Sequence, residues 1–195
     1  MVDCTGHGVP GAFMSMIGHN LLNQIVLEKG IYNPGDILQE LHKGVQAALK
    51  QDQHHSDNND GMDISMVTIN TKTKECWWAG AFRTLVLIKS TGELEKTEGD
   101  KYPIGGSQLD SNRIFTTHTL HLNTNDSIYL YSDGYADQFG GEKGKKFMVK
   151  KFYQNLLSMH HLTMNEQKQE LEKQFNDWKA DYEQVDDVLV IGIKM

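Results

Sequence analysis

Residues 3–18 read DCTGHGVPGAFMSMIG, and this stretch predicts the local structure around Asp3. Asp3 ends a short strand and opens a turn in which Gly6 and Gly8 give the backbone freedom that other residues lack. Pro10 suits the first turn of a helix. Apolar residues recur beyond it at helical spacing, namely Phe13, Ile17, Leu21 and Ile25. We therefore expect a strand end, a tight turn and a helix with a buried face, in that order.

Two other stretches also place an aspartate beside an apolar strand. Residues 127–134 read SIYLYSDG, so Asp133 follows a short strand and precedes Gly134. Residues 186–193 read DDVLVIGI, so Asp186 and Asp187 stand directly before the last strand. Carboxylates from several strand ends can meet at one edge of a sheet, and their hard oxygens suit Mg²⁺ or Mn²⁺. Two such ions about 3.5–4 Å apart can bind a phosphate oxygen and activate water.

Each of these motifs, taken alone, also has a simpler interpretation. Asp before Gly is a common turn dipeptide. The DCTGHG turn could bind an anion at the N-terminus of the following helix. The paired aspartates could simply blunt the end of a strand.

The rest of the chain predicts a mixture of short strands and longer helices. Helices are expected at residues 10–29, 33–50, 145–160 and 165–180. In the second, Asn33 can act as N-cap with Pro34 at the first helical position, and the expected buried stripe is Ile37, Leu38, Leu41, Val45 and Leu49. The third contains the apolar residues Phe147, Val149, Phe152 and Leu156. Strands are expected at residues 63–70, 75–80, 84–89, 93–96, 114–122, 127–132 and 187–194. Strands outnumber helices, and the helices come in two pairs, which favours an α+β fold of antiparallel sheets packed in layers against helices.

The composition limits which partners and which cellular compartment are expected for the protein. The 195 residues carry a net charge of −7, which disfavours nucleic-acid binding because a phosphate backbone attracts clustered Lys and Arg. No apolar stretch approaches the roughly 18 residues that cross a bilayer, so we expect no membrane contact by this chain. The two cysteines form no disulfide framework, and the start has no signal peptide. We therefore expect a cytoplasmic protein.

The three aspartate motifs together resemble, in order and spacing, the SpoIIE/RsbU-like branch of the PPM (PP2C-type) phosphatases. The resemblance spans essentially the whole chain, and residues 59–65, NDGMDIS, look like a segment common in this branch. It implies a PP2C-like layered sandwich and a single phosphatase domain over residues 1–195. It also implies hydrolysis of phosphoserine or phosphothreonine on a protein, by water that two Mn²⁺ or Mg²⁺ ions activate and without a covalent phospho-enzyme.

The same resemblance implies a role for each motif residue. Asp3 would bridge the two ions, the backbone carbonyl of Cys4 would be a further ligand, and Asp133 would bind one ion. Asp186 is the better candidate of the final pair, while Asp187 is a second candidate that could instead stabilise the turn. The supporting turn residues would be Gly6, Gly8 and Gly134.

Other polar residues near these motifs have open roles. His7 could donate a proton to the leaving serine oxygen, or it could cap the following helix. Asp60 and Asp63 could support a metal, but a turn is the favoured interpretation. Arg83 could meet a phosphate, but a solvated charge in a turn is favoured.

The resemblance also implies a strand pair before the D-x-x-G-H-G turn, with a G-D-[FY]-Y-like segment and one more metal-binding aspartate. The sequence begins at Met1, two residues before Asp3, so this segment is missing. A fragment boundary, a misplaced start or a natural truncation would each explain it. We expect an N-terminally truncated domain with weak metal binding and poor or absent activity. Its exposed sheet edge invites a homodimer, which a monomer in light scattering would contradict.

Two classes of function therefore remain open. In this family such domains often end a larger sensor protein and act on anti-anti-sigma-like factors, which implies a phosphorylated protein as substrate. The alternative is a catalytically inactive PP2C-like module for binding or signalling. A nucleotide-binding protein is disfavoured, because the chain has no G-K-[ST] P-loop and no parallel βαβ repeat around the turn.

Overall fold

The computed structural model describes residues 1–6, 8–51, 59–73, 75–106 and 113–195. Within it the chain forms two compact units. The N-terminal unit comprises Val2–Thr84 and Glu98–His121, and the C-terminal unit comprises Met1, Leu85–Thr97 and Leu122–Met195. Each unit has its own sheet and core, and the single domain expected from the sequence stays a prediction.

The described residues contain five α-helices and eleven strands. The helices are α1 Gly8–Asn23, α2 Pro34–Ala48, α3 Gly134–Asp137, α4 Val149–Ser158 and α5 Met164–Lys179. The strands are β1 Val2–Cys4, β2 Gly61–Ile69, β3 Cys76–Ala81, β4 Thr84–Ile88, β5 Leu94–Glu98, β6 Ile104–Gly105, β7 His118–Leu120, β8 Ser127–Tyr131, β9 Phe139–Gly140, β10 Lys145–Lys146 and β11 Val190–Lys194. None of the helices in this part of the chain is both long and apolar enough to cross a bilayer.

The N-terminal unit is built on an antiparallel sheet with the order β1-β2-β3-β7, in which β6 also pairs with β2. Strand β1 forms one edge of this sheet. Helix α2 contacts β3 and β6, and α1 contacts α2. The core of the unit contains mostly aliphatic side chains, namely Met14, Ile25, Ile37, Leu38, Leu41, Val45, Met62, Ile64, Ala79, Ala81, Ile104 and Phe115.

Helix α2 forms as its sequence predicts. The side chain of Asn33 accepts hydrogen bonds from the N–H groups of Gly35 and Asp36, at 3.0 and 3.3 Å, and Pro34 occupies the first helical position. Such a cap satisfies N–H groups that have no partner within the helix. The predicted stripe is buried over its first three turns, at Ile37, Leu38, Leu41 and Val45.

Helix α1 faces the core differently from the prediction. Phe13 is 61% exposed, whereas Met14 and Gly18 are buried. A side chain at Gly18 would lie 3.2 Å from the end of Met62, so a glycine lets this face of the helix approach the sheet closely. The predicted role of Phe13 is therefore wrong. The helix also continues as a π-helical turn, Gln24–Glu28, before it ends.

The C-terminal unit contains an antiparallel sheet with the order β11-β8-β4-β5. Every residue of β8 is buried. The aromatic ring of Tyr135 lies 4.9–5.2 Å from those of Phe147, Phe152 and Phe175, and edge-on and tilted ring pairs of this kind stabilise a core. Helix α5 begins with a capping box, in which Thr163 and Glu166 satisfy each other's N–H groups.

Two predicted elements of this unit are shorter in the structure. The helix expected at residues 145–160 begins only at Val149, because Lys145 and Lys146 pair with β9 instead. Val149 is the first residue of the helix and is exposed, whereas Phe152 and Leu156 are buried. The strand expected at residues 187–194 begins at Val190.

Replacement of Leu41 by alanine should destabilise the protein strongly. Leu41 is fully buried in the core of the N-terminal unit, so Leu41→Ala should lower the free energy of unfolding by about 2–5 kcal/mol through lost burial and a cavity. Urea denaturation measures this change. Leu27→Ala is the matched control, because Leu27 is 76% exposed and should change stability little. Equal effects of the two substitutions would contradict the described core.

Buried His42 should make the stability depend on pH. Its Nδ1 accepts a hydrogen bond from the N–H of Gly105 at 3.0 Å. Burial, followed by the charges of Arg113 and Lys43, lowers the pKa of His42 from 6.5 to about 4. As the pH falls from 6.5 to about 4, the unfolded chain takes up a proton that the folded chain does not, so stability is lost over this window.

The variant His42→Gln should lose less stability across the same window, as measured by urea denaturation at a series of pH values. His19→Gln is the control, because His19 lies exposed on α1 and should leave the pH dependence of the wild type unchanged. Parallel curves for wild type and His42→Gln would show that His42 does not cause the pH dependence.

Candidate active site

Asp3 on β1 lies directly opposite Asp63 on β2. The N–H of Thr5 donates to the carbonyl of Gly61 at 3.0 Å, and hydrogen-bonded and non-hydrogen-bonded pairs alternate along an antiparallel ladder. Asp3 and Asp63 therefore form a hydrogen-bonded pair whose side chains share one face of the sheet. The favoured turn at Asp63 is wrong, because β2 begins at Gly61 and includes it.

Arg83 pairs with both of these carboxylates. Its Nη2 atom lies 2.8 Å from Asp3 Oδ2 and 3.1 Å from Asp63 Oδ2. The side chain of Arg83 is only 11% exposed, so the expectation of a solvated turn charge is wrong. A guanidinium stays protonated in proteins, and Arg83 is therefore a permanent cation beside the two carboxylates.

The turn between β3 and β4 fixes the backbone of Arg83. Phe82 has a φ of 56°, and its N–H donates to the carbonyl of Asp100 at 2.8 Å. The N–H of Gly99 donates to the carbonyl of Arg83 at 3.0 Å. A side chain at Gly99 would meet the carbonyl oxygen of Gly80 at 2.4 Å, so this close approach of two backbone segments requires glycine.

The turn that follows Asp3 is tied to the start of β2. The hydroxyl of Thr5 donates to Asp60 Oδ1 at 3.2 Å and accepts from the N–H of Gly61 at 2.9 Å. Asp60 thus holds the turn from outside the strand.

The glycines of the turn have backbone conformations that favour glycine. Gly6 and Gly8 have φ values of 82° and 65°. A side chain at Gly11 would lie 2.8 Å from the carbonyl oxygen of Gly6, so the first turn of α1 packs closely on this loop. His7 lies outside the described residues, and its proposed role as proton donor stays a prediction.

The backbone of Cys4 points away from the β1–β2 ladder. Because Asp3 and Asp63 form a hydrogen-bonded pair, Cys4 and Met62 form the intervening non-hydrogen-bonded pair. The N–H and C=O of Cys4 therefore face the edge of the sheet, where the carbonyl is available to a ligand. Burial raises the pKa of the Cys4 thiol, a hydrogen bond from Ser15 lowers it, and the charge of Asp3 raises it, with a net increase. The thiol is thus a poor nucleophile near neutral pH.

In the C-terminal unit, Ser132 joins the end of β8 to the segment before β11. Its hydroxyl donates to the carbonyl of Asp187 and accepts from the N–H of Leu189, both at 2.9 Å. Its own N–H donates to the carbonyl of Leu189 at 2.9 Å. Ser132 is buried, whereas the next residue, Asp133, is exposed. The strand end thus presents the Asp133 carboxylate to solvent from a rigid base.

Asp186 and Asp187 lie against the turn that contains Asp133. A side chain at Gly134 would meet the carbonyl oxygen of Asp187 at 2.4 Å and the Cβ of Asp186 at 3.3 Å, so glycine is required here. The N–H of Asp187 donates to Asp186 Oδ1 at 2.7 Å. Both aspartates are exposed. Which of them would bind a metal stays a prediction.

The structure therefore brings the predicted residues together in two groups. Asp3 and Cys4 lie in the N-terminal unit, and Asp133 lies beside Asp186 and Asp187 in the C-terminal unit. The convergence of the two groups stays a prediction. Within the described ranges, no three His, Cys, Asp or Glu side chains form a cluster that could hold a metal ion.

The fold, with antiparallel sheets and helices in each unit, is that of a PP2C-type phosphatase domain. The whole chain, residues 1–195, matches the family model of stage II sporulation protein E (SpoIIE), and the protein belongs to this family. The α+β, PP2C-like fold and the family expected from the sequence are both confirmed. A search of curated protein sequences gave no significant match.

Solved structures similar to this chain include two PP2C domains and RsbX. The SiaA-PP2C domain of Pseudomonas aeruginosa has a TM-score of 0.86 and 25% identity, covering 100% of this chain and 74% of that one. The PP2C phosphatase domain with a regulatory fragment of SpoIIE from Bacillus subtilis has a TM-score of 0.70 and 18% identity, covering 99% and 51%. RsbX in complex with magnesium has a TM-score of 0.63 and 14% identity, covering 98% and 77%. A PP2C-type fold in this family implies a serine/threonine phosphatase of bacterial signalling.

Loss of the Ser132 hydroxyl should loosen the segment that carries Asp186 and Asp187. Ser132→Ala leaves the N–H of Leu189 and the carbonyl of Asp187 without their partner, so the free energy of unfolding should fall by about 1–3 kcal/mol. Urea denaturation measures this change. Ser158→Ala is the control, because Ser158 lies exposed at the end of α4 and bonds only locally to Asn155. An unchanged midpoint for Ser132→Ala would contradict the described contacts.

Proposed function

We propose that the protein hydrolyses phosphoserine or phosphothreonine on a protein substrate, with two Mn²⁺ or Mg²⁺ ions, as the output domain of a bacterial signalling protein. Membership of the SpoIIE family over residues 1–195 carries this proposal. The similar PP2C phosphatase structures support the reaction class, and the magnesium in RsbX supports the type of ion. The substrate class that the family resemblance implies is an anti-anti-sigma-like factor.

The donor chemistry of the chain fits a hard divalent cation. Mg²⁺ usually keeps several waters and binds through one or two carboxylates, and Asp3 and Asp63 offer two carboxylates from paired residues. The carbonyl of Cys4 faces the same sheet edge. Asp133 and Asp186, with Asp187 as the second candidate, offer exposed carboxylates in the C-terminal unit. These oxygens would hold the ions.

When bound, the ions would supply an activated water and neutralise charge on the phosphate. The side chains of the protein would hold these ions in fixed positions. Asp3 sits on a paired strand, and Asp133 follows a buried strand end, so both carboxylates have rigid supports. His7 would donate a proton to the leaving oxygen.

The cysteines do not support a covalent mechanism. The pKa of the Cys4 thiol is raised, and burial raises the pKa of Cys76 to about 11. Neither residue is a thiolate near neutral pH, and a thiolate is the nucleophile of cysteine phosphatases. This agrees with direct attack by water and no phospho-enzyme.

A second candidate function is a catalytically inactive PP2C-like module for binding or signalling. One observation favours it, namely the ion pair between Asp3 and Arg83. This pair engages a carboxylate that would hold the ions. The two candidates differ in whether Mn²⁺ or Mg²⁺ confers phosphatase activity.

Phosphatase activity should require a divalent cation and Asp133. We expect release of phosphate from a phosphoserine protein, or from para-nitrophenyl phosphate, only with Mn²⁺ or Mg²⁺ present. Asp133→Asn should reduce it by more than the roughly 10–100-fold typical of residues that only support a ligand. The assay is run on the 195-residue chain and on a version extended by in-frame upstream residues.

Asp137→Asn is the matched control, because Asp137 lies four residues further on and pairs with Lys146 at 2.8 Å. Its activity should stay near that of the wild type. Activity that resists EDTA would contradict the proposed chemistry. Absence of activity in both chain lengths, with every tested cation, would favour the inactive module.

A further inference from the structure

We propose that Arg83 is a built-in counter-cation, which holds Asp3 and Asp63 together in the metal-free protein and competes with a divalent ion for them. The metal half of this inference rests on the proposed function. The ion-pair half rests only on contacts within the N-terminal unit. Arg83 would thus be a positioning residue that sets how readily the site takes up its metal.

The first step of the argument is the cross-strand pairing of two acidic side chains. Asp3 and Asp63 are direct partners in the β1–β2 register. Side chains at such positions have Cβ atoms about 4.5–5.5 Å apart, and like charges there destabilise a sheet. The two side chains are only 21% and 28% exposed, so water screens their repulsion incompletely. A cation is therefore needed between them.

The second step is that one nitrogen of Arg83 satisfies this need. Its Nη2 lies within 3.1 Å of an Oδ2 atom on each carboxylate. When one member of a mostly buried ion pair is removed, the remaining charge is strongly destabilising. The carbonyl of Arg83 accepts from the N–H of Gly99, and the preceding residue, Phe82, donates its N–H to the carbonyl of Asp100. The contact is therefore built into the fold rather than made by a free surface side chain.

The third step is that a metal bound to Asp3 would share this carboxylate with Arg83. A divalent ion bound to Asp3 takes lone pairs of a carboxylate whose Oδ2 already accepts from Arg83. Two cations this close repel each other in a partly buried site. Arg83 cannot relieve the repulsion by losing its proton. This repulsion opposes metal binding at Asp3 unless the guanidinium moves away, and either cost lowers the apparent metal affinity.

The test is calorimetric titration of Mn²⁺ into the full chain and its Arg83→Gln variant. The variant should bind Mn²⁺ more tightly, by about tenfold, which corresponds to ~1.4 kcal/mol. Its melting temperature in EDTA should be lower than that of the wild type, and Mn²⁺ should raise it by more. Arg83→Lys keeps the charge and should bind Mn²⁺ nearly as weakly as the wild type.

Lys89→Gln is the control matched in charge. Lys89 also lies between two carboxylates, those of Glu93 and Glu95, but on the strand end of the other unit. It should leave the affinity for Mn²⁺ unchanged. If Arg83→Gln bound Mn²⁺ no more tightly than the wild type, competition between Arg83 and the metal would be excluded. Arg83 would then either position the carboxylates for the metal or have no effect on metal binding.

A double-mutant cycle separates this proposal from the proposed function. If neither protein binds Mn²⁺, the proposed function fails at its metal step, and melting in EDTA still tests the counter-cation. Addition of Asp63→Asn to Arg83→Gln should recover the lost melting temperature, because it removes the uncompensated repulsion. A double variant no more stable than Arg83→Gln would overturn the proposal.

Discussion

Asp3 and Asp63 stand next to each other because β1 and β2 pair in the register that opposes these two residues. The pairing places two negative charges on one face of a sheet, where they repel unless a cation lies between them. In the structure this cation is Arg83, brought in by the turn between β3 and β4. Other features of the N-terminal site support the same strand pairing. Thr5 bonds to Gly61 at the start of β2, and Gly6 and Gly8 let the backbone turn after β1.

The C-terminal unit presents its carboxylates by a different device. Here the acidic residues follow a fully buried strand or precede an edge strand, and the hydroxyl of Ser132 joins the two segments. Gly134 allows a carbonyl oxygen to approach where any side chain would collide with it. The carboxylates stay exposed while their backbone is fixed, which suits an ion that keeps several of its waters.

The family assignment covers the whole chain, and the structure shows how each residue of the candidate site is supported. SpoIIE membership and the PP2C-type fold give the class of reaction, whereas affinity for the ion depends on local contacts that a family assignment does not describe. Arg83 is one of these contacts. It compensates part of the negative charge of Asp3 and Asp63 when no metal is bound, so this single side chain can influence how readily the site takes up a metal.

The sequence by itself determined the α+β fold, helix α2 with its Asn33 cap, and the strand ends at Asp3 and Asp133, because caps, turns and apolar periodicity are local properties. It also contained a signal for Asp63, a lone charge between the apolar residues Met62 and Ile64, although this pattern does not separate a strand from the turn that the sequence favours. Only the tertiary structure decided that Phe13 faces solvent, that β10 shortens α4, and that Arg83 joins Asp3 across 80 residues of sequence. Each of these depends on pairing or packing between distant segments, and no local pattern fixes such a register.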